Sequence, residues 1–158
     1  MPDGAAGGAI EAVRRVLDAV VSGVGVQATV SVAPGDEGAD IAASLDGADL
    51  DVLIGRQGET VDGLQYLLSQ VASRSQDGER LRVSLDVGGY RERRANALRD
   101  LAERAAAEAV EFGDEIELDP MTPHDRRIVH MALKDNTTVV TRSEGDEPRR
   151  RIIVEPAD

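Results

Sequence analysis

DVLIGRQGETVDGLQYLLSQVASR, residues 51–74, is the stretch that decides how this chain folds. An apolar run, Val52, Leu53 and Ile54, leads into Gly55-Arg56-Gln57-Gly58. Beyond the second glycine, Val61, Leu64, Leu68 and Val71 recur at spacings of three and four, the period of a helix buried along one face. A short helix from about Asp49 to Gly55 and a second from about Gly58 to Arg74 are therefore predicted, with a Gly-x-x-Gly turn between them. Taken alone, that turn is an ordinary connection. Gly55 accepts the left-handed backbone that ends one helix, and Gly58 opens the next.

The flanks change its meaning. Upstream, Ile10, Val13, Leu17, Val20 and Val24 mark a helix that ends at Gly23 or Gly25. VQATVSV alternates apolar and polar residues, as a half-buried strand does, and IAASL follows after a turn rich in Pro and Gly. Downstream, RLRVSLDV alternates again. The predicted order is α-β-β-α-α-β, the type II KH arrangement, with Gly-x-x-Gly at the helix–helix connection. There the KH module clamps about four backbone nucleotides. Glycine permits close approach of the backbone, and the following helix N-terminus offers free N–H groups to phosphate. Gly55, Arg56, Gln57 and Gly58 are the candidate clamp; Arg56 supplies its charge and Glu59 opposes it.

A second pattern follows the GGY break at 88–90. Residues from about Arg91 to Phe112 read as a long helix with the stripe Ala95, Leu98, Ala102, Ala105, Ala109. EIEL reads as a short strand. MTPHDRRIVHMALKD has strong helix-start signals: Thr122 as cap, Pro123 in the first turn, and Asp125 three residues after the cap. Two strands joined at Gly145 close the chain. The expected fold class is thus α+β with two small domains, a KH-like α-β-β-α-α-β domain over 9–88 and an α-β-α-β-β domain over 89–158. Residues 1–8 are expected to form a disordered tail.

RRIVH places Arg126 and His130 four residues apart on the predicted helix, where they share a face. Arg127 and Lys134 fall within the same arc of about 100°, while Ile128, Val129, Ala132 and Leu133 point toward the core. The plain reading of this basic stripe is a solvated surface. The functional reading is a phosphate-facing site in which arginine offers a bidentate fork and histidine a donor and a flat ring. Arg142, with Arg149, Arg150 and Arg151, extends the basic set.

Charge and composition bound the rest. The net charge is −12, which argues against a nucleic-acid binder until its distribution is considered. Residues 1–50 hold two arginines against eight acids, whereas residues 120–151 hold seven basic side chains against five acidic. There is no cysteine, hence no disulfide and no thiolate chemistry. There is no Gly-Lys-Ser/Thr phosphate loop, no zinc-binding H-E-x-x-H and no G-x-S-x-G elbow. No enzyme activity, cofactor or metal is expected, and no signal peptide or membrane segment is read, so the cytoplasm is the expected compartment.

Both halves resemble one family. DVLIGRQGETVDGLQYLLSQVASR is similar to the KH segment of the bacterial Jag (SpoIIIJ-associated, KhpB) proteins, whose loop usually carries lysine where Gln57 stands. MTPHDRRIVHMALKDNTTVVTRSEGDEPRRRIIVEP resembles the single-strand nucleic-acid-binding domain named for its Arg-x-x-x-His signature, the R-three-H domain, with Arg126 and His130 as the pair. The resemblance implies binding of single-stranded RNA, with single-stranded DNA as an alternative. It also implies a post-transcriptional regulator or RNA chaperone linked to the cell envelope or division, and a small KH-only protein as partner. The competing expectation is a protein-interaction adaptor, for which the acidic first 50 residues suit a basic partner and the alanine stripe suits helix packing.

Overall fold

The computed structural model describes residues 3–158. The chain divides into two compact units, residues 1–91 and 92–158. The first contains α1 (Asp3–Val24), β1 (Ala28–Pro34), β2 (Ile41–Gly47), α2 (Asp51–Ile54), α3 (Glu59–Arg74) and β3 (Val83–Val87), with a single 3-10 turn at Arg56–Gly58. The expected α-β-β-α-α-β order is the observed one. Helix α1 takes in residues 3–8 of the stretch read as a tail; residues 1 and 2 lie outside the described residues.

The three strands form one sheet in the order β1-β2-β3. Strands β1 and β2 pair antiparallel from Ala28↔Gly47 to Pro34↔Ile41, and β2 and β3 pair parallel from Ile41↔Val83 to Leu45↔Val87. The hairpin is what two adjacent alternating segments make; the parallel pair needs the crossover that α2 and α3 supply. Leu17 of α1, Leu45 of β2, Leu53 of α2, Leu68 of α3 and Leu85 of β3 are all fully buried in one core. Burying each such side chain is worth about 1.5–3 kcal/mol.

Strand β3 is a sheet edge, and α3 seals it. Side chains four residues apart on the helix meet alternate residues of the strand. Ser73 Oγ accepts from Leu81 N at 2.9 Å, just ahead of β3. Ser69 Oγ accepts from Val83 N at 3.0 Å, and Gln65 Oε1 from Leu85 N at 2.9 Å. Arg91 Nε donates to Leu85 O at 3.0 Å. Three N–H groups and the Leu85 carbonyl along this edge are therefore engaged within the chain.

The second unit contains most of α4 (Tyr90–Phe112), then β4 (Ile116–Glu117), α5 (Pro123–Leu133), β5 (Val139–Glu144) and β6 (Arg151–Pro156). This is the expected α-β-α-β-β order. Its sheet runs β4-β6-β5, antiparallel throughout. Leu98, Ala102, Ala105, Ala106 and Ala109 of α4 are buried with Val129 and Leu133 of α5 and Val139, Ile152 and Val154 of the sheet. The alanine stripe is thus the unit's own core, and the helix-packing interface offered for an adaptor is corrected on that ground. Ala132, expected to face the core, is exposed.

Candidate nucleic-acid interface

The Gly-x-x-Gly turn has an inner and an outer side. Gly55 has φ +73° and Gly58 has φ +82°, both in the left-handed region that glycine accepts most readily. A Cβ on Gly55 would stand 2.3 Å from Thr60 Oγ1, and one on Gly58 would stand 2.7 Å from the Tyr90 ring. Gly58 is buried. The glycines are therefore required by packing against Thr60 and Tyr90, before any ligand is considered. What the turn presents outward is Arg56 and Gln57, both exposed, with Gln57 itself held at φ +54°. No side chain caps the N-terminus of α3, which starts immediately afterward, while Glu59 and Asp62 stand in its first turn. Open N–H groups and Arg56 favour an anion there; the two carboxylates oppose it.

Helix α5 starts as its sequence dictates. Thr122 is the N-cap, accepting from Asp125 N at 3.3 Å, and Pro123 stands in the first turn. The Asp125 carboxylate does something the sequence does not announce. It is buried, and its Oδ2 accepts from both Nε (3.1 Å) and Nη2 (3.0 Å) of Arg94, tying α5 to α4. A two-pronged guanidinium–carboxylate contact with one buried partner ranks among the stronger polar contacts a small domain makes.

The basic stripe divides in two. Arg126 donates to Met121 O at 2.8 Å and is ion-paired with Glu147 of the β5–β6 connection; its side chain is only 11% exposed. The hydrogen bond from Arg126 holds the Glu147 carboxyl below its ordinary value. His130 is exposed, and its Nδ1 shares a hydrogen bond of 2.6 Å with Thr141 Oγ1 of β5. Arg127 and Lys134 are exposed, and among the described residues they make no hydrogen bond or ion pair.

Arg142 is not brought to this set. Thr141 shares the sheet face of buried Val139, so Arg142 points from the opposite face. There it meets three carboxylates: Glu144, Glu115 at 3.0 Å and Glu155 at 3.7 Å. The hydrogen bond to Glu144, with the fields of all three, raises its guanidinium above the ordinary value. Arg151 pairs with Glu117 on the same face. Two arginines among four glutamates make a surface that disfavours phosphate.

Comparison with known proteins matches these two units one to one. Residues 10–85 match the family model for the KhpA/KhpB KH domain, and residues 96–156 match that for the R-three-H domain. The chain carries a KhpA/KhpB-type KH domain followed by an R-three-H domain. It is 40% identical over 146 residues, 92% of its length, to a Clostridium symbiosum protein named RNA-binding protein KhpB. It is 38% identical over a like share to the Lactiplantibacillus plantarum protein of that name, and 30% identical over 65% of the chain to that of Bacillus subtilis. The chain spans 64%, 44% and 50% of the length of those three relatives. The family resemblance read from the two motifs is thus the observed one, and so is the two-domain α+β fold.

Three features escape sequence reasoning. Gln65, Ser69 and Ser73 carry a signal, a polar series at spacing four along α3. The Arg94–Asp125 and Arg126–Glu147 pairs carry none, because their partners lie 31 and 21 residues apart.

Proposed function

We propose that this chain binds single-stranded RNA through two surface elements, the Gly55–Gly58 turn and helix α5. The observation that carries the reading is a matter of charge. In an acidic chain, Arg56 on the turn, Arg127 on α5 and Lys134 at the C-cap of α5 are exposed cations with no carboxylate partner among the described residues. Arg56 with the α3 N-terminus suits one phosphate; Arg127, Lys134 and the ring of His130 suit another stretch of strand. Gly55, Gln57 and Gly58 set the shape of the first element, and Arg126 anchors the second from below. Arg142, engaged by three glutamates on the opposite face of β5, stands outside both elements. Each site is modest, and tethering two modest sites raises avidity without further contacts. The names of the relatives support the same ligand.

The test is fluorescence anisotropy of a labelled single-stranded RNA at low salt, with the full chain. Arg56→Asp/Gln57→Asp and Arg127→Ala/Lys134→Ala should each weaken binding roughly tenfold, with a shallower salt dependence as phosphate contacts are lost. No binding by the unaltered chain at low salt sinks the function. Binding that neither double variant weakens sinks the site assignment. A single-stranded DNA of the same sequence in parallel decides whether the 2′-hydroxyl is read.

On this reading the protein is a cytoplasmic post-transcriptional regulator or RNA chaperone, linked to the cell envelope. Among the described residues no helix is long and apolar enough to cross a membrane. A KH-only partner suits a KH domain whose family model spans both KhpA and KhpB. Co-elution of the two purified proteins tests that pairing.

A further inference from the structure

Between α4 and α5, within the second unit, lies an open slot of about 310 Å³ lined by Arg99, His124, Arg127, Ile128, Met131 and Ala132. It lies beside the Arg126–His130 edge of α5: Arg127 borders both, while residues 124, 128 and 131 occupy the next arc of the helix. Its floor is apolar. Met131 is 47% exposed, and neither the domain core nor the basic stripe accounts for that exposure. Its rim is cationic and polar. Arg99 donates to Asn96 Oδ1 at 2.9 Å and meets no carboxylate, and Arg127 has no partner among the described residues. Elsewhere in this unit, Arg94, Arg126, Arg142 and Arg151 are each held by a carboxylate. An apolar slot with unpaired guanidinium groups at its lip complements a ligand that joins a flat apolar face to an anion.

We propose that the slot between α4 and α5 takes one nucleotide of the bound strand, its base on Met131, Ile128 and Ala132 and its phosphate at Arg99 and Arg127. The assignment rests on the RNA-binding reading above. The volume suits a single base with part of its ribose, and sulfur and guanidinium groups both pack well against aromatic faces. With few aromatic side chains in the chain, Met131 supplies the surface that a phenylalanine supplies elsewhere. His124, at the mouth, donates or accepts at the base edge.

Two substitutions and one titration test it. Met131→Glu and Arg99→Ala, both at exposed positions, should each lower affinity for the labelled RNA about fivefold to tenfold. Arg99→Ala should also reduce the salt slope by roughly 0.7, the value of one single-strand phosphate contact. Uridine 5′-monophosphate added to the full chain should shift the methyl signals of Ile128 and Met131, while inorganic phosphate should leave them in place. If the unaltered chain binds RNA while both variants bind equally well and no methyl moves, the slot is no nucleotide site and the broader function stands. If the unaltered chain binds no RNA, both readings fall together. Loss of binding only in the Arg56/Gln57 variant likewise overturns the slot.

Discussion

The two units present their motif arginines in opposite ways. In the first, the turn exposes Arg56 without a carboxylate partner among the described residues, and rigidity comes from glycines pressed against Thr60 and Tyr90. In the second, the signature Arg126 is mostly buried and already holds Glu147, while Arg142 and Arg151 are engaged by glutamates. The difference teaches that counting arginines misjudges a binding surface. Residues 120–151 are the more basic stretch by sequence, yet the cations there without a carboxylate partner among the described residues reduce to Arg127, Lys134, Arg149 and Arg150.

The comparison can be broken at its stiffest point first. Gly58→Val would force a branched side chain into the Tyr90 ring at a left-handed backbone position. We expect a loss of about 3 kcal/mol or more in stability of the first unit, read by urea unfolding. A loss below about 1 kcal/mol would mean that the turn is soft and its glycines serve the ligand instead. Next comes Asp125→Ala. It strands Arg94, which is partly exposed, so we expect about 2 kcal/mol of destabilisation confined to the second unit, below the cost for a fully buried pair.

The smallest effect sharpens the comparison most. Glu147→Gln should lower the urea midpoint of the second unit only slightly, because the carboxylate is exposed. It should raise RNA affinity about two- to fivefold by leaving Arg126 available to phosphate. No gain would show that Arg126 is structural only. Acid should act in the same direction. The Glu147 carboxyl is held below its ordinary value, so the ion pair is intact above the usual carboxylate range and is lost as pH falls through the lowered, folded-state value. Carbon-detected NMR should place that titration below those of free glutamates.

Much of this is legible in the chain because it is local. Apolar spacing of three and four marks α1, α3 and α4, alternation marks the strands, and Thr122-Pro123 marks the start of α5. Gly-x-x-Gly and Arg-x-x-x-His each announce a family. What stays hidden is tertiary. Nothing near Arg126 predicts that a glutamate 21 residues later closes on it. Arg142 reads as part of the stripe until strand alternation sends it to the other face. The apolar pattern misplaces Ala132 because α5 buries a narrower face than its apolar residues suggest; Ile128 and Ala132 instead floor a slot.

The Ser73, Ser69 and Gln65 ladder along β3 has a consequence for growth in the test tube as much as in the cell. A three-stranded sheet can template a further chain from either border, and the parallel border here is locked from within. Stacking of one molecule onto the next through this sheet must begin at β1. Two hydroxyls and one amide thus shield a strand of alternating buried residues from its own neighbours.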